Sequence, residues 1–142
     1  MDILLWRLLL DFALVVLIWL VQIISYPGFK YYSTEDLIKW HDRYTRRITF
    51  IVIPLMLGQL VLSTLILLYL PTAYSIGTMV LLLTIWLHTF LFFVPQHRDI
   101  SKGRISVGKL DLLIKTNWWR TAFWTTNFAW TLVTVSIDYA IE

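Results

Sequence analysis

The sequence predicts an all-α integral membrane protein, an antiparallel four-helix bundle with N- and C-termini extracytoplasmic. Three observations predict it: an apolar composition, four apolar segments of spanning length, and a one-sided placement of basic residues. Of 142 residues, 58% are hydrophobic and 15% charged, against about 25% charged in a soluble domain. A chain this short would expose much apolar surface to water, so lipid is the economical solvent for most of it. The four segments cover residues 3–25, 48–70, 74–94 and 117–137, each near the ~20 residues that a bilayer core demands. Residues 1–142 read as a single four-helix transmembrane domain, with no internal repeat.

The first span is interrupted by Arg7 and Asp11 and has no clear small-residue cleavage site, so it reads as a retained span rather than a cleaved signal. YPGF at 26–29 is expected to end it, because proline and glycine together favour a turn. Ser33 with Asp36 resembles a capping box, which predicts a helix starting near 34 and running through DLIKWHDRYTRR into the second span. Pro54 lies inside that span and should bend it, with neighbouring helices satisfying the freed carbonyl. LPTAYS at 70–75 makes a short turn to the third span. Pro95 is expected to close that span, and a loop through Gly103 leads to a helix from about 106.

Orientation follows from Lys and Arg. The connection between spans one and two holds Lys30, Lys39, Arg43, Arg46 and Arg47. The connection between spans three and four, with the first turn of span four, holds Arg98, Lys102, Arg104, Lys109, Lys115 and Arg120. Only Arg7 of the 12 basic residues lies elsewhere. The positive-inside rule puts both connections in the cytoplasm and both termini outside, giving a multi-pass protein of the bacterial inner (plasma) membrane. The basic charge sets topology and suits anionic lipid headgroups; no nucleic acid is implied. The chain has no cysteine, which excludes disulfides, iron–sulfur clusters and thiol catalysis.

Polar residues within spans normally face the bundle interior, and helical spacing shows which share a face. Span one carries Arg7, Asp11, Ile18, Gln22 and Ser25 on one stripe, with Arg7 and Asp11 four apart as a structural pair. The second helix carries His41, Thr45, Ile48, Val52, Gln59 and Ser63. Span three aligns Gly77, Leu81, Thr84, His88 and Pro95. Span four aligns Asn117, Arg120, Trp124, Asn127, Thr131, Thr134 and Asp138. Interhelical glue, threonines bonded to their own backbone and interfacial anchoring by Trp118 and Trp119 are the plain alternatives for these residues.

At about 1.5 Å per residue, His88 lies roughly 9 Å inside the cytoplasmic boundary and His41 roughly 10 Å outside it. These two histidines therefore should not share a metal or a haem iron. His97 reads by itself as an exposed loop histidine and His41 as an interfacial helix residue, although a His41–His97 pair beside Asp42 or Asp99 is open as a metal site. His88 needs a hydrogen-bond partner, which span four can supply. These residues suggest a pocket opening to the cytoplasm, lined by Gln22, His88, Asn117, Arg120 and Trp124, with His41, Arg47 and His97 at its rim. His88, Arg120 and Asn117 are the catalytic candidates. Gln22, Trp124, Arg47 and Asn127 are the substrate-binding candidates, and His41 and His97 the metal candidates. Arg120 would hold an anionic or phenolate-like group, and Trp124 would stack on a flat apolar substrate.

YPGFKYYSTEDLIKWHDRYTRR after span one, FFVPQHRDIS after span three and KLDLLIKTNWWRTAFW opening span four resemble the small four-span membrane family that includes the anthrone oxygenases. Pro95 and Arg120 fit that family's pattern; His97 stands where Asn is usual and Asn117 where His or Asn is usual. The resemblance implies a membrane-embedded oxygenase or related redox enzyme acting on a hydrophobic aromatic or quinone-like molecule. WLH at 86–88 and the spacing from Arg47 to Pro54-Leu55-Met56 are similar, more loosely, to the protoporphyrinogen-oxidase-like four-helix family, without that family's histidine in span one. Whether the cofactor is none, haem or a transition metal stays open at this level. The competing function is a non-catalytic accessory or lipid- or pigment-binding subunit. The expected partners are membrane lipids and a hydrophobic small molecule, with a homo-oligomer or larger membrane complex also open. A transporter fits less well, since no pair of discontinuous helices is evident.

Overall fold

The computed structural model describes residues 2–141, which are helical almost throughout with no strand among them. Helix α1 (Asp2–Leu20) continues without a break through a π-turn (Val21–Ser25), α2 (Tyr26–Gly28) and a 3-10 turn (Phe29–Tyr31). Helix α3 (Thr34–Tyr69) begins where the sequence predicts, with Ser33 as its cap accepting from the Asp36 backbone N–H at 3.2 Å. Thr72 and Ser75 form a reciprocal capping box that starts α4 (Ala73–His88). A second π-turn (Thr89–Phe93) leads into α5 (Val94–Ser101). Gly103, at φ +71°, makes the turn that only a residue without Cβ adopts freely, and α6 (Val107–Ile141) follows.

The prolines behave differently from the sequence expectation. YPGF does not end the first helix and Pro95 does not close the third. Each proline is instead the second residue after a π-turn, in which Tyr26 N–H reaches Val21 O and Val94 N–H reaches Thr89 O. A π-turn widens one turn of helix, giving the proline ring room beside the preceding carbonyls with which it would otherwise clash. The missing N–H falls where the hydrogen-bond ladder already changes register, so the helix passes through. His97 thus sits on a helix, not in a loop.

Three runs, Ile3–Tyr31, Thr34–Tyr69 and Ala73–Ser101, are long and apolar enough to cross a membrane. The 35-residue α6 is as long, but its described residues contain no spanning-length stretch as apolar as those in the three runs. Its buried positions, Leu110, Leu113, Asn117, Arg120, Thr121, Trp124, Asn127, Thr131 and Val135, recur at helical spacing, so its polar residues are turned inward.

Helix α1 packs between α3 and α6, and α4 between the same two. Leu4, Ile66, Tyr74 and Val135 cluster at one end, near the 70–72 turn. Phe29, Leu37, Ile100 and Leu110 belong to the larger cluster that reaches the other end, near the two basic connections. The stripes predicted for α1 and α6 are buried along most of their length; that of α3 is buried at His41, Gln59 and Ser63 and half-buried at Thr45, Ile48 and Val52. The stripe predicted for span three is not buried: Thr84 is exposed, and the inner face is Tyr74, Thr78, Leu82, Ile85 and, past the π-turn, Phe93. That span is apolar on every side, so its pattern fixes the phase poorly.

Candidate functional site

Two polar systems occupy the interior. The first ties the helices together. Arg7 is fully buried and pairs with Asp11 (Nε to Oδ1, 2.8 Å). Its other nitrogens donate to the Ser63 hydroxyl and to Asn127 Oδ1 (3.1 Å). Asp11 also accepts from Gln59 Nε2 (2.6 Å) and the Thr131 hydroxyl (2.7 Å), and the Tyr74 hydroxyl donates to Thr131 (3.0 Å). Residues from α1, α3, α4 and α6 thereby neutralise and hydrogen-bond one buried ion pair, as a charge removed from water requires.

The second system borders a cavity of about 440 Å³ between α1, α3, the α4–α5 run and α6. Arg120 is on its wall, 7% exposed, with its guanidinium 4.4 Å from the Phe93 ring centroid and 5.0 Å from that of Trp124. Cation–π contacts hold the guanidinium in place but satisfy few of its five N–H donors. One donates to Asn117 Oδ1 at 3.4 Å, and Nε has no partner among the described residues. Asn117 is in turn fixed by Gln22 Oε1 (2.9 Å), and Gln22 donates to the Ile114 carbonyl (3.3 Å). The arrangement holds a buried cation with donors to spare at the edge of an apolar space.

Tyr26 and His97 line the same end of the cavity and begin a chain of contacts leading away from it. The Tyr26 hydroxyl is 3.0 Å from His97 Nε2, His97 Nδ1 is 2.8 Å from His41 Nε2, and His41 Nδ1 is 3.1 Å from the Ser101 hydroxyl. Tyr26 and His41 are buried, and Ser101 is exposed at the end of α5. A nitrogen-to-nitrogen hydrogen bond needs one donor and one acceptor, so at least one of these imidazoles is neutral in this geometry. Every link can be donated in either direction. A concerted reversal would carry one proton between the cavity and the exposed serine.

The predicted site residues separate accordingly. Arg120, Trp124 and His97 line the cavity, while Gln22 and Asn117 stand behind Arg120 and orient it. His41 does not border the cavity; it is fully buried and paired with His97. Neither aspartate proposed beside that pair joins it: Asp42 is exposed, and Asp99 binds Arg104 and Lys109. Among the described residues, no group of three or more His, Asp or Glu is placed to hold a metal ion. His88 does not line the cavity. It lies against Phe92 and Phe93, and its buried Nδ1 finds no partner among the described residues, on α6 or elsewhere. Arg47 is exposed away from the cavity lining, and Asn127 belongs to the Arg7–Asp11 system.

The sequence reading missed Tyr26, Tyr44, Phe93 and Ser101. The signal was present: Ile18, Gln22 and Tyr26, and likewise Phe93, His97 and Ser101, follow at steps of four. Treating the two prolines as helix ends hid both series. No protein-family model, characterised protein or solved structure matches the chain.

Proposed function

We propose that the protein is a membrane-embedded oxygenase or related redox enzyme acting on a hydrophobic aromatic or quinone-like substrate. In this reading α6 is a fourth span, the bundle is antiparallel with both termini outside, and the basic end faces the cytoplasm of a bacterial inner membrane. The observation that carries the reading is Arg120, a buried cation with unused donors at the edge of an apolar cavity. A fixed cation in a low-dielectric site stabilises an anion that forms there far better than it would in water. A phenol or an activated methylene bound with its oxygen at Arg120 becomes a stronger acid, and Tyr26 with the two histidines gives its proton a way out.

Oxidation then needs an acceptor, for which dissolved molecular oxygen suffices. The substrate carbanion forms a C–O bond to O2, the peroxide takes up one proton, and loss of water leaves a carbonyl. The net change is CH2 + O2 to C=O + H2O. Residues of this chain hold the oxygen of the anion, stack on the ring through Trp124 and Phe93, and move the proton.

The test is oxygen uptake by the purified protein in nanodiscs with an anthrone as probe. Arg120→Ala should lower the rate about 100-fold or more, the order seen when a donor to a developing oxyanion is removed, with a melting temperature close to that of the parent. Oxygen uptake no faster than in empty discs would overturn the enzymatic reading, as would a rate that falls only as stability falls. It would favour the lipid- or pigment-binding subunit instead.

A further inference from the structure

We propose that the cavity accepts a substrate with two parts, an aromatic head at Arg120 and a single apolar tail that leaves sideways into the bilayer between α3 and the second π-turn. This rests on the cavity being a substrate site and specifies the class of molecule it takes.

The cavity is longer than an aromatic ring needs. Along α3 its wall runs from Tyr44 to Leu57, about 20 Å at 1.5 Å per residue. Its titratable groups are gathered at one end, where Tyr26, Tyr44, His97 and Arg120 meet. The rest of the lining is dominated by apolar side chains such as Leu14, Leu17, Val52 and Met56. The polar atoms it adds are the hydroxyls of Thr45, Thr49 and Thr89 and one donor without a partner among the described residues, Trp86 Nε1, and it carries no charged group. A fused-ring head leaves part of this length unfilled, and what remains suits a hydrocarbon chain.

The opening is lateral. The lining residues that are also exposed are Thr49, Ile53, Leu57, Phe90 and Val94, all on α3 or on the π-turn and the residue after it. Helix α3 makes its close approaches to α4 and to α5, on either side of that turn. Thr49, Ile53 and Leu57 lie within a run apolar enough to cross a membrane, so the mouth meets lipid rather than water. A substrate dissolved in the bilayer reaches the site without leaving it. Since lipid is as apolar as the groove, the tail contributes fit and orientation rather than hydrophobic driving force.

The test uses the full chain in nanodiscs and two probes: 2-methyl-1,4-naphthoquinone, and the same ring with a geranyl chain ending in a diazirine. After photolysis, peptide mapping locates the tail. The expected result is labelling concentrated at Ile53, Leu57, Phe90 or Val94, suppressed by excess unlabelled geranylated ring. The disc phospholipid, already in large excess, should not suppress it. Leu57→Trp, a change at a lipid-facing position, should reduce that labelling at least threefold while leaving binding of the tail-less ring within twofold.

Labelling no denser there than on the lipid-facing Trp6, Leu9 and Phe12 of α1 would overturn the proposal. So would exclusion of the tailed ring by a site that binds the tail-less ring in an Arg120-dependent way; in that case the aromatic site stands and the tail channel falls. If neither ring binds in an Arg120-dependent way, both readings fall.

Discussion

Arg7 and Arg120 lie in the same bundle, yet their surroundings give them different tasks. Arg7 has a carboxylate, a hydroxyl and an amide as partners, so its charge is spent inside the protein. Arg120 has two aromatic faces and one long hydrogen bond, so its charge remains available. The difference predicts different mutational behaviour. Asp11→Leu would leave Arg7 buried and unpaired, at a cost of about 3–5 kcal/mol. Arg7→Leu combined with Asp11→Leu should recover part of that loss, because no unpaired charge is left in the apolar interior. Unfolding in mixed micelles distinguishes the two. A double variant no more stable than the single one would show that the surrounding hydrogen bonds, not the charge, dominate.

Among the elements, the two π-turns have the largest consequences. One precedes Pro27 and the other Pro95, and between them they bring Tyr26 and His97 into contact. A π-turn is in effect one extra residue in a helix. Inserting a further alanine after Leu91 should rotate α5 by about 100°, turning His97 and Ser101 off the inner face. Deleting Leu91 should remove the wide turn and set the Pro95 ring against the preceding carbonyls, kinking the helix at the start of α5. Ring-nitrogen NMR of labelled histidines reads the outcome directly. The His41–His97 coupling should vanish on insertion and weaken on deletion; persistence after both would mean that the pair does not depend on the second π-turn.

For the molecule as a whole, the orientation in the membrane is the property to establish. The basic residues gather at the end with the 102–106 connection, and the 70–72 turn packs at the other. The chain contains no cysteine, so single cysteines placed at Lys102 and Pro71, both exposed, report without background. An impermeant maleimide should label the Pro71→Cys variant in intact cells and the Lys102→Cys variant only after lysis. The reverse pattern would place the site's proton outlet at Ser101 on the outer side and overturn the topology proposed above.

Local signals along the chain specify the helical class, the long apolar runs, the start of α3 and the inner faces of α1 and α6. Each follows from local composition or from spacing along a single helix, and neither needs a neighbour to be known. Arg120 and Trp124 were legible for the same reason, as polar and aromatic positions on one regular stripe. Tertiary structure alone decided which polar groups meet. Asn127 joined Arg7 rather than the cavity, and His88 was left beside phenylalanines. His41 and His97, 56 residues apart in sequence, came together because a wide turn carried His97's helix past Pro95. Proline is a strong local signal for a helix end, but one added residue of helix, stabilised by packing against α3 and α6, overrides it. The phase of a uniformly apolar helix is likewise set by what it packs against, since its own side chains express no preference.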